Sequence, residues 1–147
     1  MSRIARVRVL LVEDNPDHAE FAERALAHHG DAAVTWVKNG EDAMAFLCRE
    51  GVWASYQGPL PSLIVLDLSL PRLNGHGVLQ RVKHDDRLRQ IPVIVLSTSS
   101  NPNDIASSYA LGANSYVVKS GDCGRLKAIR DYWFDVNVGC GQPLAEV

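Results

Sequence analysis

Four short apolar runs rich in β-branched residues each stop at a charged or hydroxyl side chain, and this pattern constrains the fold more than any other feature. Val7–Val12, apolar apart from Arg8, ends at Glu13-Asp14, and Leu63–Leu66 ends at Asp67. Pro92–Leu96 ends at the hydroxyl run Ser97-Thr98-Ser99-Ser100, and Tyr116–Val118 ends at Lys119. Runs this short and this uniformly apolar suit strands covered on both faces, as in a parallel sheet. A shorter fifth strand is expected at Ala33–Val37, and amphipathic stretches alternate with the strands from end to end. The pattern therefore predicts five βα units around one parallel sheet.

The intervening stretches carry helix signals. Asn15 can cap a helix with Pro16 at its first position, and Phe21, Ala22, Ala25 and Leu26 are expected on its inner face, with Gly30 ending it. Gly40-Glu41 opens a second helix with Ala43, Met44 and Leu47 at helical spacing, and residues 51–62 read as its exit loop. Past the turn from Pro71 to Gly75, a third helix is marked by Val78, Leu79 and Val82, and Asn101-Pro102 starts a fourth. Leu126, Ile129, Trp133 and Val136 form the inward stripe of the last helix.

In a parallel α/β sheet, right-handed crossovers bring the C-terminal ends of all strands to one edge. Here that edge receives Glu13, Asp14, Asp67, Ser97 and Lys119. Carboxylates held so close repel one another and resist ionisation unless a cation joins them. Mg²⁺ favours a few carboxylate oxygens together with water and phosphate, so Glu13, Asp14 and Asp67 suit a Mg²⁺ site open to a phosphoryl group. Phosphoryl transfer needs groups that position the reactants and neutralise charge on the equatorial oxygens. Asp67 is then the nucleophile, with Lys119 as a point charge and the Ser97 hydroxyl as a donor to the phosphoryl oxygens.

Residues 7–136 resemble the receiver domain of two-component response regulators. The resemblance is carried by VRVLLVEDNP, LIVLDLSLPRLNG, IPVIVLSTSS and GANSYVVKS, whose joint order and spacing are far more specific than any one of them. It implies a flavodoxin-like (βα)5 doubly wound α/β fold with strand order 2-1-3-4-5, and phosphate taken from a histidine kinase with Mg²⁺ present. It further implies Asp67 as phosphoacceptor, Glu13 and Asp14 as the acidic pair, and Ser69 as donor of a backbone carbonyl to the metal. Ser97 and Tyr116 fall on the family's two switch positions, and Lys119 on its lysine. Ser120 departs from the proline usual after that lysine, so the loop entering the last helix is expected to differ. The segments KS, STSS, NSY and YWF are similar to those of small single-domain receivers that serve phytochrome-type histidine kinases, which implies such a kinase as partner.

Length and composition fit this reading. With 147 residues, 46% hydrophobic and 22% charged, the chain has room for one domain, expected over 1–138 with a tail at 139–147. A net charge of −2 without clustered Lys/Arg gives no footprint for nucleic acid or an anionic membrane. Cys48, Cys123 and Cys140 form no CxxC pair and read as reduced thiols in a cytoplasmic protein. The apolar run at the start is too short for a secretory signal and stops at Glu13-Asp14, and no run approaches a membrane span. Tyr132-Trp133-Phe134 covers more than one helix face, which points to a homodimer through the last strands and helices.

Two other classes compete. An aspartyl-phosphate phosphohydrolase also sets an Asp at the end of a parallel strand, but needs a second Asp two residues on, where this chain has Ser69. A flavin-mononucleotide binder finds encouragement only in the STSS run. The five histidines, His18, His28, His29, His76 and His84, show no ligand spacing and read as surface or cap residues.

Overall fold

A computed structural model describes residues 7–27, 32–70, 73–119 and 124–132. In chain order the elements are β1 (Val7–Val12), α1 (Pro16–Leu26), β2 (Ala32–Val37), α2 (Gly40–Cys48), a 3₁₀ turn (Gly51–Trp53), β3 (Leu63–Leu66) and α3 (Gly75–His84). There follow β4 (Val93–Ser97), α4 (Pro102–Ala110), β5 (Ser115–Val118) and α5 (Gly124–Asp131). The five strands form one sheet in the order β2-β1-β3-β4-β5, every pair parallel. This is the flavodoxin-like arrangement expected from the sequence. The polar edge that crossovers should create is therefore formed by the C-terminal ends of β1, β3, β4 and β5.

Because strand side chains alternate between faces, the apolar runs split into two cores. Leu10, Val12, Ile64, Leu66, Val93 and Val95 pack on one face against Phe46, Leu47, Val78, Leu79 and Val82 from α2 and α3. Val9, Leu11, Leu63, Val65, Ile94 and Val117 pack on the other against α1 and α5. Each such side chain, fully withdrawn from water, contributes about 1.5–3 kcal/mol, so the two cores dominate the stability of the sheet.

Asparagine opens four of the helices. Asn15 accepts from the Asp17 and His18 N–H groups, Asn39 from Asp42, Asn74 from Gly77 and Asn101 from Asn103. Each satisfies an N–H that has no partner inside its helix. Pro16 and Pro102 stand in the first turns of α1 and α4, where a missing N–H costs nothing.

Two sequence expectations need correction. Phe21 is 56% exposed, and Ala19 takes its place beside Ala22, Ala25 and Leu26 on the inner face of α1. The small side chains at 19, 22 and 25 seat the helix on the sheet, and Phe21 lies about 100° around the helix from Ala22, off that stripe. In α2, Phe46 is buried with Ala43 and Leu47, whereas Met44 is only partly covered. The exit loop expected at 51–62 is present and packed by aromatic rings: Trp53 meets Phe46 edge-on at 4.7 Å between centroids, and Tyr56 packs against both. Arg49, in the left-handed region at φ 58°, braces this loop by donating to the Tyr56 and Gly58 carbonyls.

Among the described residues no helix is long and apolar enough to cross a membrane. Cys48 is a half-buried free thiol. Gly30, Ser120, Cys123, Trp133, Phe134, Val136, Cys140 and the tail at 139–147, on which several expectations rested, lie outside the described residues.

Candidate functional site

Backbone bonds at the strand ends set the positions of the functional side chains. The Glu13 N–H donates to the Val37 carbonyl and the Asp67 N–H to the Val12 carbonyl, which continues the sheet one residue past β1 and β3. The Lys119 N–H donates to the Ser97 carbonyl at 2.6 Å, carrying β5 one residue further in the same way. Glu13 is fixed again from β2, where the Trp36 indole donates to its carbonyl at 2.7 Å. The Asp67 carboxylate accepts the Ser69 N–H at 3.1 Å, while the Leu68 carbonyl accepts the Gly75 N–H. A Cβ at Gly75 would stand 2.3 Å from the Asp67 carbonyl, so this approach of α3 to the loop after β3 requires glycine.

Four of the expected side chains converge. Carboxylate oxygens of Glu13, Asp14 and Asp67 all lie within 4.8 Å of one another, with Glu13 and Asp67 buried and Asp14 exposed. The Lys119 ammonium lies 2.6 Å from Glu13 Oε1 and 3.3 Å from Asp67 Oδ2. Burial, with a smaller push from the Asp67 charge, raises the Glu13 carboxyl from 4.5 to about 7 against the opposing pull of Lys119. Although Lys119 is close, Glu13 Oε1 is buried without a well-directed hydrogen bond. A carboxylate oxygen carries two lone pairs, so its ion pair with one ammonium leaves one open to a hard divalent cation. An all-oxygen donor set of two buried carboxylates and an exposed third therefore fits such a cation.

Ser97 and Tyr116 occupy a second tier. Ser97 is buried and its hydroxyl accepts the Ser99 N–H at 3.1 Å. Tyr116 is turned inward, only 8% exposed, and its hydroxyl donates to the Ser99 carbonyl at 2.8 Å. Ser99 in turn donates to Asp104 of α4 at 2.5 Å. Ser97 and Tyr116 are thus both tied to one residue of the β4–α4 loop.

Sequence reasoning missed His18. Its Nδ1 lies 3.1 Å from the Lys119 ammonium and 4.0 Å from Glu13 Oε2, so it belongs to the site rather than to the general surface. The available signal was its place: three residues after the Asn15 cap, a side chain in the first turn of α1 leans back over the strand edge. Trp36 was likewise read only as part of a strand.

Fold and site together define a doubly wound α/β protein whose strand edge carries a carboxylate site for a divalent cation beside a lysine. The family model for the response regulator receiver domain matches residues 9–130. The chain belongs to the response regulator receiver family. It is 38% identical over 135 residues to the probable methanogenesis regulatory protein FilR2 of Methanothrix harundinacea, covering 88% of this chain and 84% of that protein. It is 36% identical over 132 residues to response regulator Rcp1 of Synechocystis, covering 86% of this chain and 88% of that one. The solved Mn(2+)-bound form of Rcp1 superposes with a TM-score of 0.78 at 35% identity, covering 88% of this chain and 95% of that one. The phosphorylated cyanobacterial phytochrome response regulator RcpA superposes with a TM-score of 0.81 at 40% identity, covering 90% of this chain and 96% of that one.

Proposed function

We propose that Asp67 accepts a phosphoryl group from the phosphohistidine of a phytochrome-type sensor kinase, and that the chain signals the event through protein contacts. The observation that carries this reading is the convergence of Glu13, Asp14 and Asp67 oxygens within 4.8 Å beside Lys119. The kinase class rests on likeness to Rcp1 and to the phytochrome regulator RcpA. A domain spanning 1–138, a cytoplasmic setting and a homodimer through the last strands and helices complete the proposal.

In the transfer, an Asp67 carboxylate oxygen forms a bond to phosphorus as the phosphorus–nitrogen bond of the donor breaks, and the electron pair returns to the imidazole. Glu13, Asp14, Asp67 and the backbone carbonyl of Ser69 would hold Mg²⁺, which supplies charge neutralisation at the phosphoryl oxygens. Lys119 is close enough to Asp67 to follow the charge onto the acyl phosphate, and Ser97 offers the third neutralising contact as a hydroxyl donor. Because Ser97 and Tyr116 both meet Ser99, a movement of Ser97 toward the phosphoryl group shifts the loop that Tyr116 holds and, through Asp104, the start of α4. A bias of only a few kcal/mol between two packings suffices for such a switch.

Uptake of acid-labile phosphate from acetyl phosphate should vanish in Asp67→Asn, and undiminished uptake would remove the proposal. Ser69 and Ser99 flank the acceptor with neither a carboxylate nor an amide to orient a hydrolytic water. Self-dephosphorylation is accordingly slow, and a phosphorylated lifetime of seconds would contradict this. Ser69 also stands where a phosphohydrolase would need its acid, so no turnover of phosphomonoesters is expected.

A further inference from the structure

We infer that His18 is a positioning residue for Lys119, holding the ammonium in place while Glu13 and Asp67 are engaged elsewhere; this deepens the phosphoacceptor reading and rests on it. An ammonium offers three N–H donors and no lone pair. In this structure its near acceptors are Glu13 Oε1 at 2.6 Å, Asp67 Oδ2 at 3.3 Å and His18 Nδ1 at 3.1 Å. Since the ammonium cannot accept, Nδ1 is the acceptor of this contact.

The three acceptors are not equivalent. Glu13 and Asp67 are the carboxylates that suit a cation, and Asp67 is also the group that takes the phosphoryl bond. Once those oxygens are occupied, two of the contacts to Lys119 weaken together. His18 comes from α1, a different element from the strands that supply the carboxylates. Its backbone N–H is fixed to the Asn15 cap, so the imidazole is held in a rigid first turn. Lys119, only 12% exposed on a long flexible stem, gains from His18 an anchor that survives loading of the site. With 43% of its own side chain exposed, His18 can be replaced without opening a core.

The test uses the full chain with Mg²⁺ and acetyl phosphate, varying the donor concentration. His18→Leu should slow the saturating rate of phosphate uptake roughly tenfold, the scale of one hydrogen bond to a charged group, with the half-saturating donor concentration little changed. His18→Asn, whose side-chain oxygen can reach the place of Nδ1, should recover most of that loss. A second readout needs neither metal nor donor: the ¹⁵N ammonium resonance of Lys119, identified by its loss in Lys119→Met, should be visible in the parent and His18→Asn and broadened away in His18→Leu. A His18→Leu rate within about twofold of the parent, with uptake still abolished in Asp67→Asn, would overturn this inference alone. So would a His18→Asn variant as slow as His18→Leu. Undiminished uptake in Asp67→Asn would overturn the acceptor reading and this inference with it.

Discussion

Replacing Glu13 by Gln separates the electrostatics of the site from its shape. The Glu13 carboxyl is raised from 4.5 to about 7, first by loss of hydration and next by Asp67, with Lys119 opposing. A raised folded value means that the fold favours the protonated carboxyl. That stabilisation is fully present below 4.5 and is lost as pH climbs through about 7. The difference between 4.5 and about 7, at about 1.4 kcal/mol for each unit, comes to about 3 kcal/mol of strain carried by the metal-free protein above neutrality. Gln has the shape of the protonated acid and no charge to bury. Metal-free Glu13→Gln should therefore exceed the parent in stability by about 3 kcal/mol near pH 8, a rise in Tm of roughly 6–12 °C for a chain of this size, and match it near pH 4.5. Mg²⁺ should raise the parent's Tm at pH 8 and raise the variant's far less. Thermal scans at several pH values, with and without Mg²⁺, read all of this. A variant no more stable than the parent at pH 8, or equally stabilised at both pH extremes, would refute the reasoning.

Two further outcomes follow from the packing. Tyr116→Phe keeps the buried ring but removes the bond to the Ser99 carbonyl; it should cost about 1 kcal/mol and speed amide exchange at Ser99 and Asn101, whose N–H groups depend on the placement of this loop. Lys83 donates to the Arg89 and Ile91 carbonyls and to Asn114 Oδ1, tying the end of α3 to the turns that precede β4 and β5, and burial lowers its pKa. Lys83→Met should cost about 2 kcal/mol in urea unfolding with an unchanged denaturant slope, and an unchanged midpoint would show that water replaces those bonds freely.

Much of this protein could be read in one dimension. Strands buried on both faces announce themselves as unbroken apolar runs, and Glu13, Asp14, Asp67 and Lys119 were identifiable because each stands at the first or second polar position after such a run. The parallel topology then obliges those ends to share an edge, so their convergence was implied before any distance was measured. Helix starts were legible where Asn meets Pro, at Asn15 and Asn101, and less so at Asn39 and Asn74, where no proline marks the first turn.

What only the tertiary structure decided concerns side chains whose partners are remote in sequence and unmarked by pattern. A strand end advertises its polar residue, but the direction of a helical side chain depends on how the helix sits on the sheet. That is why Phe21 was assigned inward although it faces out, and why Phe46 found its place only through Trp53 and Tyr56. His18 is the sharpest case: its place in the first turn of α1 sets it near the strand edge, but only the packing pairs it with Lys119, 101 positions away. Local hydrophobic period dictates which face of an element is buried, whereas contacts between polar groups across elements are set by the packing geometry that burial produces.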